Sequence, residues 1–188
     1  PHLPRAEDEE PWPLSVLVRH DADGLAADVK ALEQFNDRHV DPSEGFAIAD
    51  VVEIKGDSPA SIEAALNHMP DEVFPFFELD WRGDIRGTLA TIVGGDAGVK
   101  LRTGGLAAED FPTLEATAKF LLDAASAEVP LKGTAGMHWP LRAPSDVVEG
   151  ATAHGFLNFL TAAAVAHLRD CDDSDLIPIL QASADDFE

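Results

Sequence analysis

Cysteine occurs once in the chain, at Cys171, which excludes an internal disulfide and a metal cage built from thiolates. That thiol sits between Asp170 and Asp172, and a reactive thiol needs cationic neighbours, so it reads as structural. Long apolar runs are also missing. The stretch over residues 156–166 stops short of the roughly 18 residues that cross a bilayer, and a cytoplasmic protein with no membrane partner is expected. Basic residues are scarce, with 13 Lys and Arg against 35 Asp and Glu and a net charge of −22. Such a surface repels phosphate backbones, which argues against nucleic acid as a partner. The acidic surplus fits either a halophile's solvation strategy or an ordinary acidic cytosolic protein. No Walker loop, GxGxxG fingerprint or serine nucleophile elbow is present, so nucleotide, dinucleotide and serine-hydrolase roles lose their usual support. A metal centre would require His138, His154 and a carboxylate such as Glu78 to converge without any HxH or HExxH spacing, so neither metal nor cofactor is expected.

What is there is a rhythm. Short apolar runs at residues 14–19, 48–55, 73–80, 98–103 and 129–134 alternate with amphipathic stretches at 25–38, 59–69, 85–93 and 109–127. That alternation predicts βα units, a parallel sheet and an α/β fold. Asp23, Ser58 ahead of Pro59, and Asp84 are the expected helix caps. Residues 136–150 read as an irregular loop, 154–169 as a largely buried helix, and 174–182 as a short second helix. The proline- and acid-rich residues 1–13 read as a linker, leaving one domain over 14–188. Because a strand is expected directly after that linker, the chain is expected to be the later part of a longer protein, with one or two strands ahead of it.

Charge parity in four of the predicted strands carries the functional signal, because side chains two apart share a face. Glu53 and Lys55 oppose Val52 and Ile54; Glu78 and Asp80 oppose Phe77 and Leu79; Lys100 and Arg102 oppose Val99 and Leu101; Lys132 and Thr134 oppose Leu131. A sheet with one wet face produces the same alternation. Parallel strands joined by helices, however, turn their apolar side chains toward those helices, which leaves the charged ones for a lumen. Charges at the carboxyl ends of such strands are where barrel enzymes keep their catalytic groups, and a TIM-barrel-like fold, incomplete in this chain, is expected. A lysine held beside two other cations in a dry site falls from roughly 10.4 to about 7, which takes about 4 to 5 kcal/mol and leaves an amine able to attack a carbonyl.

At these residues the sequence resembles the class I, Schiff-base-forming aldolases of the deoxyribose-phosphate aldolase type. Lys100-Leu101-Arg102-Thr103-Gly104-Gly105 is similar to the motif of the imine-forming lysine, and Lys132-Gly133-Thr134-Ala135-Gly136 to that of its activating partner. The resemblance covers about residues 48–136. It implies Lys100 as nucleophile, Lys132 as activator, and Glu78 or Asp50 as proton carrier in a lyase acting on a small anionic carbonyl compound. Arg102 replaces a small hydroxyl residue of that family, Asp50 has the opposite parity to Glu53 and Lys55, and MHWPLR stands in place of a phosphate-binding glycine loop. The segments KLRTGG, TAGMHWPLR and HGFLNFL together also resemble a bacterial protein family of uncharacterised function, a likeness that covers more of the chain.

Other residues offer binding rather than catalysis. Thr103, Gly104 and Gly105 can present backbone N–H groups to a phosphate or carboxylate with Arg102 as a clamp, or can simply form a strand-to-helix turn. His138 and Arg142 flank Trp139 in a loop that either covers a ligand or anchors an aromatic ring. His154 and Asn158, four apart on a helix, bind a substrate or each other. The expected partner is a small anionic molecule, as substrate or as the ligand of a non-catalytic binding protein, with self-association left open and a metal-assisted hydrolase or isomerase as a third class.

Overall fold

The computed structural model describes residues 10–41, 43 and 45–186. Five parallel strands lie side by side in chain order: β1 (Trp12–Leu17), β2 (Ala47–Lys55), β3 (Phe74–Glu78), β4 (Gly98–Arg102) and β5 (Leu131–Thr134). They are joined by α1 (Ala22–His39), α2 (Pro59–Leu66), α3 (Arg86–Ile92) and α4 (Leu114–Ser126). Right-handed crossovers between neighbouring strands put every helix on one face of the sheet. There Ile54, Phe77, Val99 and Leu101 meet Ile62, Ile92 and Leu121 in the main core. Among the described residues no helix is long and apolar enough to cross a membrane.

The helix-free face is concave. A flat sheet would hold β1 and β5 about 19 Å apart, four strand spacings. Lys132 on β5 nevertheless donates to Ser15 Oγ on β1 at 2.8 Å, so the sheet is curled into a half-barrel whose outer strands face each other across the hollow.

Local sequence explains most boundaries and corrects several expectations. The linker expected over 1–13 lies outside the described residues up to residue 9, and Trp12 and Pro13 already belong to β1. The cap of α1 is Asp21, which accepts from Gly24 N at 2.8 Å, while Asp23 sits in the first turn. Ser58 caps α2 through a reciprocal pair with Ser61 ahead of the helix's proline, as its spacing implied. Asp84 does not cap α3; Ile85 occupies that position, and Asp84 takes the backbone and guanidinium of Arg86 instead. The helix expected from residue 109 starts only at Leu114 behind a Thr113 cap, because Pro112 holds Phe111 extended and ends the one-turn helix Ala108–Asp110.

Within the stretch read as irregular, β6 (Ala143–Pro144) and β7 (Thr152–Ala153) form a small antiparallel ribbon. Two further helices, α5 (Phe156–Leu168) and α6 (Asp173–Gln181), pack with α4, burying Phe159, Ala162, Leu176 and Leu180. The expectation that α5 is largely buried fails on its outer face, where Phe156, Leu157, Leu160 and Leu168 are exposed.

Candidate functional site

Strand register gathers the charged residues into rows. Lys55 pairs with Glu78, Glu78 with Lys100 and Lys100 with Lys132, so one row across β2 to β5 carries four ionic side chains on the concave face. One step toward the strand starts, Glu53 stands level with Phe76 and Gly98; one step the other way, Arg102 stands level with Thr134. Side-chain alternation does the sorting, since Val52, Ile54, Phe77, Val99 and Leu101 on the opposite parity are buried under the helices.

Lys100 is the centre of the cluster. Its side chain is 3% exposed, and Nζ contacts Glu53 Oε2 at 2.8 Å and Glu78 Oε2 at 2.7 Å. Glu53 turns its other oxygen to Lys132 Nζ at 2.5 Å and accepts from Ser15 Oγ at 3.0 Å. Gly98 has no side chain, so the Phe76 ring lies over it, and Lys132 Nζ stands 5.6 Å from the centre of that ring. Burial alone would raise the Glu53 carboxyl, but hydrogen bonds from Lys100, Lys132 and Ser15 outweigh it and hold the group at about 2. The lysine expected beside two other cations has Lys132 next to it in the row and two carboxylates in contact with it. Lys100 and Lys132 share one carboxylate, and Lys100 contacts a second.

Beyond this cluster, at the carboxyl ends of β2, β3 and β4, opens a cleft of about 260 Å³ lined by Lys55, Asp57, Glu78, Asp80, Arg82 and Arg102. Most of its charges are engaged. Glu78 holds Lys100, and Arg82 reaches Asp80 at 3.3 Å and Asp110 at 3.5 Å while lying 4.5 Å above the Trp81 ring. Arg102 Nε donates to Gly104 O at 2.9 Å. Among the described residues neither Lys55 nor Arg102 has a carboxylate partner, so two cationic head groups remain available to a ligand.

The remaining expected residues fall into three places. Asp50 is the extra residue of a β-bulge, because β1 pairs Leu14 with Ala49 and then Ser15 with Val51. Counting parity through that bulge fails, so the opposite parity read for Asp50 carries no information about its face; its Oδ1 is buried without a hydrogen-bond partner among the described residues, nearer the strand starts than the cleft. Thr103, buried, donates to the carbonyls of Thr134 and Ala135, and a Cβ at Gly104 would lie 2.8 Å from Gly136 Cα, so this turn is packed against the end of β5. The backbone N–H groups of Leu106 and Ala107 just after Gly105 are taken by the Asp110 carboxylate. Thr134 Oγ1, beside Arg102 in its row, is buried without a hydrogen-bond partner among the described residues.

His138, Arg142, His154 and Asn158 sit apart from the cleft lining, where the loop after β5 closes on α5. His138 Nδ1 lies 2.9 Å from Asp146. The carbonyls of Trp139 and Pro140 accept from Phe156 and Leu157 N–H, satisfying the first donors of α5. Asn158 accepts from Arg142 N and donates to the carbonyls of Ile179 and Ala182, each at 2.9 Å, which uses both amide hydrogens and one of the two lone pairs of its oxygen. His154 Nε2 lies 2.9 Å from Pro112 O and 3.0 Å from Thr117 Oγ1, and burial pushes its imidazole down to about 4, so the ring is neutral. Burial also lowers Arg142, partly offset by Glu115.

The sequence reading missed Ser15, Asp57, Arg82 and Asp110. Ser15 stands two before Leu17 on β1 and is the only one whose strand parity pointed into the hollow. The others come from loops after strands, whose positions depend on the curl of the sheet. Among the described residues no group of three or more His, Cys, Asp or Glu side chains is placed to hold a metal ion. Comparison of the chain with protein-family models, with curated proteins and with solved structures finds no match.

Proposed function

We propose that this half-barrel, as part of a TIM-type architecture, binds a small anionic compound at the carboxyl ends of its strands, held by Lys55 and Arg102. The observation that carries the reading is that, among the described residues, these two cations line the cleft without a carboxylate partner while Glu78, Asp80 and Asp110 are engaged elsewhere. A guanidinium in that setting offers a planar fork suited to carboxylate or phosphate, and the neutral cluster behind it forms a fixed floor. Titration calorimetry with inorganic phosphate and with succinate tests it. Arg102→Gln is expected to weaken the tighter of the two by about tenfold and Lys55→Gln by a smaller factor. Affinities unchanged in both variants would end this reading.

Shared use of Glu53 by Lys100 and Lys132 supports a second reading, imine chemistry on a small anionic carbonyl compound. In it Lys100 Nζ, after passing a proton to Glu78, adds to the carbonyl carbon; loss of water leaves an iminium, and Lys132 with Glu53 steadies the departing oxygen. Glu53 and Glu78, in contact with Nζ, would lie beside the positive charge of the iminium. Borohydride reduction in the presence of small aldehydes and ketoacids, followed by peptide mass spectrometry, should place an adduct on Lys100. Adducts confined to exposed lysines, unchanged in Lys100→Met, would exclude it.

A further inference from the structure

The cleft carries free charge of both signs. Asp57, on the loop just after β2, lines it beside Lys55 and has no Lys or Arg partner among the described residues. Its one ionic neighbour is His20 Nε2 at 3.5 Å, a contact that is charged only when the imidazole is protonated. The other acids in the lining are committed: Glu78 to Lys100, Asp80 and Asp110 to Arg82, and Asp110 also to two backbone N–H groups. Two cations and one carboxylate are thus left facing the same space.

Those charges are arranged along a direction. Past Asp57, Leu79 and Asp80, which line both spaces, the cleft is continued by a second hollow of about 310 Å³. Its lining includes Asp57, Asp80 and Asp84 together with Thr88 and contains no Lys or Arg. One end of the combined groove therefore presents Lys55 and Arg102, and the other presents carboxylates. A ligand with anions at both ends would push its second charge against Asp57; a ligand with an amine there would complete it.

We infer that the ligand is a small zwitterion, carrying a carboxylate or phosphate at the Lys55–Arg102 end and an ammonium group at the Asp57 end, an inference that rests on the anion-binding reading above. Matched pairs of probes separate the two claims: 4-aminobutyrate against butyrate, and O-phosphoethanolamine against ethyl phosphate, each titrated calorimetrically into the full chain. The amine-bearing member of at least one pair should bind about three- to fivefold tighter than its simple anion. Asp57→Asn should erase that advantage while leaving the simple anion within about twofold, and Arg102→Gln should weaken both members together. Asp57 is largely exposed, so this variant should melt with the parent chain, which a thermal scan checks. If amines bring no advantage in either pair while Arg102→Gln still weakens binding, the zwitterion inference falls and the anion site stands. If no probe depends on Arg102, both fall.

Discussion

Lys100→Met is expected to lower the unfolding free energy by about 3–5 kcal/mol at pH 7, read from urea denaturation. The methionine fills the space, so the loss is electrostatic: Glu78 is left without its ion-pair partner and Glu53 keeps only Lys132 and Ser15. The pH dependence distinguishes this from a packing defect. Glu53 is held at about 2 against an ordinary 4.5, so the folded state favours its ionised form. For a carboxylate depressed in this way the stabilisation is complete above the unfolded value and is lost as pH falls through the folded one. In the parent chain this group should give up on the order of 3 kcal/mol between about pH 4.5 and 2, and the variant, lacking the largest of the hydrogen bonds that depress Glu53, should lose much less. The two stabilities should therefore converge on acidification. A gap that stays constant from neutral to acidic pH would show that the ion pairs contribute little.

Periodicity made the architecture readable. The five strands and their connecting helices follow from apolar runs and amphipathic stretches, and the rows on the concave face follow from period-two charge in four of those strands. What one-dimensional pattern could not supply is curvature. The contact of Lys132 with Ser15 spans 117 positions in sequence and exists only because the sheet bends, so the sharing of Glu53 between two lysines was not visible beforehand. Local backbone events account for other differences. The bulge at Asp50 resets the face count, Pro112 delays α4, and Asp21 wins the cap of α1 over Asp23 by standing three residues before a free N–H.

The same distinction holds for the two groups of candidate site residues. Lys55, Glu78 and Arg102 come together because each ends a strand of one sheet, and strand ends in register are neighbours; Asp80, expected on the third strand, joins them from two residues past its end. His138, Arg142, His154 and Asn158 belong to two short motifs that also meet, but what they build is a clamp between a loop and two helices. Chemistry-bearing side chains at close spacing looked alike in both cases; only the partners of each polar atom separate them. Asn158, fully buried with both amide hydrogens committed, has no donor left to offer a ligand, whereas Lys55 has no ionic partner among the described residues.

Gly155→Ala should test that clamp with an effect of about 3 kcal/mol or more on stability. The backbone at Gly155 is in an ordinary extended conformation, so the demand for glycine comes from space alone. A Cβ there would fall inside contact distance of Leu141 Cα and carbonyl carbon and of Asn158 Oδ1. Two of those are backbone atoms that cannot rotate away, so the loop and the start of α5 must separate. Separation undoes the bonds from Phe156 and Leu157 N–H to Trp139 and Pro140, then the bond from Arg142 N to Asn158, whose amide in turn ties down Ile179 and Ala182 at the end of α6. Each buried group left unmatched adds about 1–3 kcal/mol to the loss. Gly87 in α3 provides the control, because a Cβ there meets nothing within 4 Å and alanine suits a helix better by about 1 kcal/mol. Gly87→Ala should melt at or above the parent temperature and Gly155→Ala many degrees below it, with loss of the near-ultraviolet signal of Trp139. Equal melting of the two variants would mean that the loop and α5 can part at little cost.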